Sequence, residues 1–295
     1  MRDAISPEAA AAIADMLAMV RPAKRDLRQD RANWTAEAAL EPLPNGTTIE
    51  EAVVGGIRSE WVRTGPADGV FLLLHGGGYV NGNCITHRKL AALISQASGL
   101  DVLVPDYRLA PENPFPAGLD DALAVWQALL SEHDNTRLFL GGDSAGAGLS
   151  LALLLAARDQ GLTLPRACAL LSPWTDILAR GESYESNRAA DPTITKERLL
   201  EAGAWYVGAG NPDDPLISPI GADLTGLPPL LVHVGGIEAM LDDSLVFADR
   251  AQAAGLLVDL KVWPGMWHVW HHYAFTVPEA SDAIADIGQF LRQWS

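Results

Sequence analysis

Residues 137–157 read RLFLGGDSAGAGLSLALLLAA: a short apolar run, a glycine-rich turn around Ser144, then an apolar run of helical character. The first part, Arg137–Leu140, has the length and composition of a buried strand, and Leu149–Ala157 that of a buried helix. Between them Gly142-Asp143-Ser144-Ala145-Gly146 forms Gly-x-Ser-x-Gly. Such a string arises easily in a chain rich in Gly and Ala, so its context carries the information. At a strand-to-helix elbow the serine sits on a sharp, strained turn, and the glycines two positions either side let the strand and helix backbones approach. Ser144 Oγ is then expected to project from the C-terminal edge of a sheet, beside amide donors and the positive end of a helix dipole.

Working outward, β-rich apolar runs recur at Val70–Leu74, Asp101–Pro105, Ala167–Leu171, Leu230–Val234 and Val258–Trp263, separated by segments of helical period. This alternation predicts an α/β fold with parallel strands and crossover helices. Upstream, Thr48–Val54 and Ile57–Thr64 flank Gly55-Gly56, a pair suited to a tight hairpin, so the sheet is expected to begin antiparallel. Two stretches interrupt the pattern: residues 1–45, helical and amphipathic with a helix start at Ser6-Pro7-Glu8, and residues 175–225, turn-rich with a helix near Lys196–Val207. Both are expected to cap the sheet within a single domain spanning residues 1–295.

A second glycine cluster, His75-Gly76-Gly77-Gly78-Tyr79, follows the strand Val70–Leu74. Three successive glycines keep side chains away from backbone amides, so a developing oxyanion can come close; Gly77 and Gly78, with Ala145, are the expected donors. With the Ser144 turn, this loop resembles the hormone-sensitive-lipase-like family of α/β-hydrolases. Asp106–Ala117 and Asp214–Pro219 resemble two further signatures of that family, and the likeness runs from about Thr48 to the end.

The resemblance implies an α/β-hydrolase fold, a mostly parallel eight-stranded sheet flanked by helices with a helical cap. It also implies a serine carboxylesterase that hydrolyses small-molecule esters with short acyl groups, of about two to six carbons for a pocket of ordinary size. No cofactor or metal is required. A homodimer through the last strand, Val258–Trp263, is a further expectation.

In this fold nucleophile, acid and base follow one another along the chain, which places the base at His268, after the last strand. His271 and His272 are expected to point elsewhere, His75 to brace its loop, His233 to be a satisfied core histidine, and His87 and His133 to lie at the surface. For the acid, Glu238, Asp242 and Asp243 compete, and family members more often carry aspartate where Glu238 aligns. Glu238 lies nearest the end of its strand, whereas Asp242 and Asp243 stand where a cap and a first-turn acid would begin a helix Ser244–Ala254. Opening of lactones or amides would use the same residues. A non-catalytic small-molecule receptor would have lost one of them.

Composition narrows the partners. A formal charge of -16 would repel phosphate backbones and acidic membrane surfaces, which argues against nucleic acid. Cys84 and Cys168 lack metal-like spacing and read as ordinary thiols. No basic n-region precedes an apolar run and no span of ~20 apolar residues occurs, so the expectation is a cytoplasmic protein starting near Met1 with no membrane span. Met16, Leu17, Met19, Val20 and Trp34, and Trp205, Tyr206 and Val207, are expected to roof a compact apolar pocket.

Overall fold

The computed structural model describes residues 5–19, 26–132 and 137–295; Met1, Val20 and His133 lie outside them. Eight strands form one sheet: β1 (Thr48–Val54), β2 (Ile57–Arg63), β3 (Val70–Leu74), β4 (Asp101–Pro105), β5 (Leu138–Asp143), β6 (Cys168–Leu171), β7 (Leu230–Gly235) and β8 (Val258–Trp263). Their order is β1-β2-β4-β3-β5-β6-β7-β8. β1 pairs antiparallel with β2 and β2 with β4, and every later pairing is parallel. β5 starts one residue later than its apolar run suggests and continues through Gly142 to Asp143, because those residues still pair with β6.

The central strands are apolar throughout because both faces are covered. Val70, Leu72 and Leu74 of β3 belong to one core, with Leu119 and Trp126 of helix α4 (Ala117–Glu132), Leu151 and Leu154 of α5 (Ala145–Asp159) and Phe247 of α8 (Leu241–Ala253). Phe71 and Leu73 face the opposite core, with Leu90 and Ile94 of α3 (Cys84–Ser98) and Ile287 and Leu291 of α9 (Pro278–Gln293). The two-residue period of a strand thus divides one sequence run between two hydrophobic layers.

The order of strands explains where a site can form. The chain moves outward from β3 to β4, then returns to place β5 on the other side of β3. Loops leaving the C-terminal ends of β3 and β5 therefore diverge and open a crevice, the usual ligand position in such sheets. Above it lie α2 (Leu27–Ala38), α7 (Lys196–Val207) and the turns that join α7 to the short helix α6 (Ser183–Ser186). α1 (Pro7–Ala18) packs instead on α9, where the Ser6 amide and hydroxyl both donate to Glu279, each at 2.7 Å.

Candidate active site

Ser144 occupies the turn between β5 and α5 with φ 54° and ψ −120°, a conformation that costs a non-glycine residue about 1–3 kcal/mol. Hydrogen bonds on both sides hold it there: the Ser144 amide donates to Leu171 O at 2.8 Å, and its carbonyl accepts from Trp174 N at 3.1 Å. The flanking glycines are dictated by contact. A Cβ on Gly142 would lie 2.5 Å from Leu74 O, and one on Gly146 2.6 Å from His75 O. Either would force α5 away from β3 and move the serine.

His268, in the loop after β8, reaches Ser144 Oγ through Nε2 at 2.9 Å, and its Nδ1–H donates to Glu238 Oε2 at 2.7 Å. Glu238, in the loop after β7, accepts at Oε1 from Gly235 N at 2.6 Å and Ser172 Oγ at 3.1 Å. Ser172 also receives Val269 N at 3.1 Å, tying the acid to the loop that bears the histidine. All three principal side chains are buried. Burial opposes the charged imidazole, but the Glu238 bond and the charges of Glu238, Asp191 and Asp143 outweigh it, holding His268 above its ordinary value. Burial pushes the Glu238 carboxyl up against the opposing pull of His268.

Gly77 and Gly78 border the same pocket as Ser144 and His268, and Ala145 opens α5. Below them the loop is braced from Asp143 and His87: Gly76 N donates to Asp143 Oδ1 at 3.0 Å and lies 3.1 Å from His87 Nε2. His87 is therefore no surface histidine. Asn83 and Thr86 form a reciprocal cap that starts α3 directly beneath the loop, and this turns the fully buried His87 ring inward. His75 stacks on Tyr107 at 4.1 Å between ring centres, and Tyr107 donates from its hydroxyl to His75 O at 2.6 Å. Although burial opposes its ionisation, His87 and His272 hold Asp143 well below the usual carboxylate range. Ligand atoms of His87, Asp143 and His272 lie within 4.8 Å of one another, but the Gly76 amide points into that set, which suits a brace better than an ion.

Comparison with known proteins agrees with this architecture. A family model described as alpha/beta hydrolase fold matches residues 71–272. An acetyl-hydrolase of Streptomyces hygroscopicus is 43% identical over 85% of this chain and 83% of its own. A crystal structure of an esterase from the bacterial hormone-sensitive lipase family superposes with a TM-score of 0.94 at 46% identity, covering 99% of both chains. The chain belongs to the hormone-sensitive-lipase-like family of α/β-hydrolases. An esterase of Acinetobacter venetianus is 36% identical over 91% of this hydrolase and 90% of its own length. The structure of EstE5 soaked with p-nitrophenyl butyrate has a TM-score of 0.94 at 37% identity, over 98% of this chain and 99% of that one.

In this hydrolase the pocket beside Ser144 holds about 500 Å³. Of the described apolar residues expected to roof it, only Trp34 lines it. Met16 is buried beside Tyr273, Leu17 and Met19 are exposed, and Tyr206 stacks on Tyr79 at 3.7 Å, with Val207 also buried. The end of α7 that meets the pocket carries Arg198, Leu199 and Ala202 instead, one to two turns nearer the helix N-terminus than the expected residues. Trp267, Val269 and Tyr273 complete the apolar wall. Among the described residues no helix is long and apolar enough to cross a membrane.

The remaining candidates fall elsewhere. Asp242 and Asp243 do not cap α8, whose cap position is Met240. The helix starts three residues before the expected Ser244, so both acids lie in its first turn and reach across to the segment after β6. Asp242 Oδ2 accepts from Ser183 N at 2.8 Å; Asp243 accepts from Thr175 N, Asp176 N and Tyr184 Oη, each at 2.9 Å. His271 is fully buried, 3.1 Å from His233, which bonds Asp286 at 2.8 Å. His272 borders the pocket, 4.0 Å from Asp143. The thiols of Cys84 and Cys168 are buried and free.

Proposed function

We propose that this ester hydrolase works through an acyl-enzyme on Ser144, with His268 as general base and acid, Glu238 as its orienting carboxylate, and Gly77, Gly78 and Ala145 as oxyanion donors. The observation that carries the reading is the unbroken chain from Ser144 Oγ to His268, 2.9 Å, and from His268 to Glu238, 2.7 Å. Ser144 Oγ attacks the ester carbonyl while its proton passes to His268 Nε2. The imidazolium so formed is stabilised by Glu238, and the carbonyl oxygen gains negative charge beside the three amides. Collapse breaks the bond to the leaving alcohol, which takes the proton from His268. Water then attacks the acyl carbonyl, gives its proton to His268, and the proton returns to Ser144 Oγ as the carboxylic acid departs.

Short acyl groups suit a pocket of about 500 Å³ lined by Trp34, Leu199 and Trp267. The relative named an acetyl-hydrolase and the neighbour soaked with a butyrate ester support the same range. In this reading the cap lies within residues 1–45 and 175–225, the first contributing Trp34 and Glu41 and the second Thr193, Ile194 and α7. A phosphonate ester that reacts with activated serines should label Ser144 and no other residue. Hydrolysis across a panel graded by acyl length, with one lactone and one anilide, should peak at about two to six carbons. Absence of labelling at Ser144 would reject the mechanism, and a preference for long-chain triglyceride emulsions would reject the substrate range.

A further inference from the structure

Between the pocket wall and the acid loop lies a carboxylate with no part in the scheme above. Asp191, in the turn before α7, is buried. Its Oδ1 gathers Thr193 N at 2.8 Å, Thr193 Oγ1 at 2.8 Å and Ile194 N at 3.1 Å. Thr193 and Ile194 line the pocket. Its Oδ2 accepts from Ala239 N at 2.8 Å, across 48 residues of sequence. The other end of that same peptide unit, Glu238 O, accepts from Asn187 Nδ2 at 2.9 Å. The peptide that follows Glu238 is thus gripped at both ends by the segment leading to the pocket wall.

We propose that Asp191 is a positioning residue, a single carboxylate that locks the Thr193–Ile194 wall of the substrate pocket to the backbone of Glu238. The wall and the acid that orients His268 then keep one relative placement through the reaction. The proposal rests on the assignment of Glu238 as the acid. Geometry gives it two separable halves, because one carboxylate oxygen serves the wall and the other serves the acid loop. An additional consequence is electrostatic: the Asp191 charge is felt by both Glu238 and His268. The charged and titratable groups around His268 are Glu238, Asp191 and Asp143, with His271 on its own loop.

Asp191→Asn separates the halves. The amide oxygen stays with its three donors at Thr193 and Ile194, which turns the amide NH₂ toward Ala239 N–H, donor against donor. We expect kcat for a butyrate ester to fall about tenfold, the size of one lost buried acceptor, with KM close to the parent's. Removal of a negative charge near the imidazole should also move the acid limb of kcat/KM to lower pH. Thr193→Val, which loses only the hydroxyl on the wall side, should raise KM and leave that limb in place. Asp191→Ser keeps a short oxygen for the turn amides but neither charge nor reach, so it gives the same two readouts if the asparagine variant does not fold. A folded variant of either kind with a lowered Tm but the parent's kcat and acid limb overturns the proposal and leaves Asp191 a structural residue. Glu238→Gln measured alongside distinguishes the failures: if it too keeps the parent's kcat, the acid itself is misassigned.

Discussion

Glu238→Gln is the substitution whose cost the structure works out most fully. The carboxylate faces Gly235 N–H and the Ser172 hydroxyl with Oε1 and His268 with Oε2. A glutamine can satisfy only one side with its oxygen. Turning its NH₂ toward Gly235 N, at a spacing of 2.6 Å, would set two donors against each other, a loss of about 1–3 kcal/mol. The amide oxygen therefore stays with Gly235 and the NH₂ faces His268 Nδ1, which must then accept. That places the ring proton on Nε2, facing Ser144 Oγ, in the tautomer that has no lone pair for the serine proton. The expected fall in kcat is about 10⁴-fold, or about 5.5 kcal/mol of barrier, as for the equivalent amide in a serine protease. The fold should not suffer. A buried carboxyl whose pKa is raised by folding disfavours the native state once it is ionised, and that penalty grows as pH rises above its unfolded value. The neutral amide does not carry it, so Tm near neutral pH should equal or exceed the parent's. The assay is steady-state hydrolysis of p-nitrophenyl butyrate at saturation, normalised to the concentration of folded protein, with a melting curve. A kcat within about tenfold of the parent's would refute the tautomer argument and the role of Glu238.

Ser144→Ala should abolish turnover, because it deletes the covalent route while removing one hydroxyl from an elbow fixed by backbone bonds; turnover near the parent's in a purified sample would sink the assignment. The acid limb of kcat/KM should have its midpoint above the ordinary histidine value of 6.5, because His268 is held up by Glu238 and must be neutral to accept a proton. Activity is then lost as pH falls through that midpoint, and a limb centred below 6.5 would contradict the direction. Asp243→Asn should cost about 1–3 kcal/mol, measured by denaturant unfolding, since an asparagine oxygen kept by the Thr175 and Asp176 amides leaves the Tyr184 hydroxyl proton without its buried acceptor. Asp242→Asn, at a partly exposed site with one such bond, should cost less; the reverse order would contradict the burial argument.

Local chemistry explains which features were legible before the fold was known. β3 and β4 coincide with their apolar runs because a strand buried on both faces is apolar without interruption, whereas the half-exposed edge strands β1 and β8 carry charged residues among their β-branched ones. Gly142 and Gly146 are legible as the two ends of a five-residue pattern, although the contacts that demand them include Leu74 O and His75 O at the end of β3. The helix before Gly208 begins at Lys196 because Thr195 caps it, a signal written in adjacent residues. The boundaries that shifted were those set by a neighbouring strand or by a distant partner, as at the end of β5 and the start of α8.

By itself, then, the sequence determined the α/β alternation, the elbow at Ser144 and the glycine loop after β3, each written in adjacent residues as a period or a pattern. The family resemblance singled out His268 and, with less force, Glu238. Only the tertiary structure brought Ser144 within 2.9 Å of a histidine 124 residues away and separated Glu238 from its two competing acids. It also turned His87 from a surface residue into the brace of Gly76, exchanged most of the expected roof for Arg198, Leu199 and Ala202, and set Asp191 against Ala239. The reason is common to all of these. A side chain's partner is chosen by which strands lie side by side and which face of a helix turns inward, and the sheet order that decides this is a property of the whole chain.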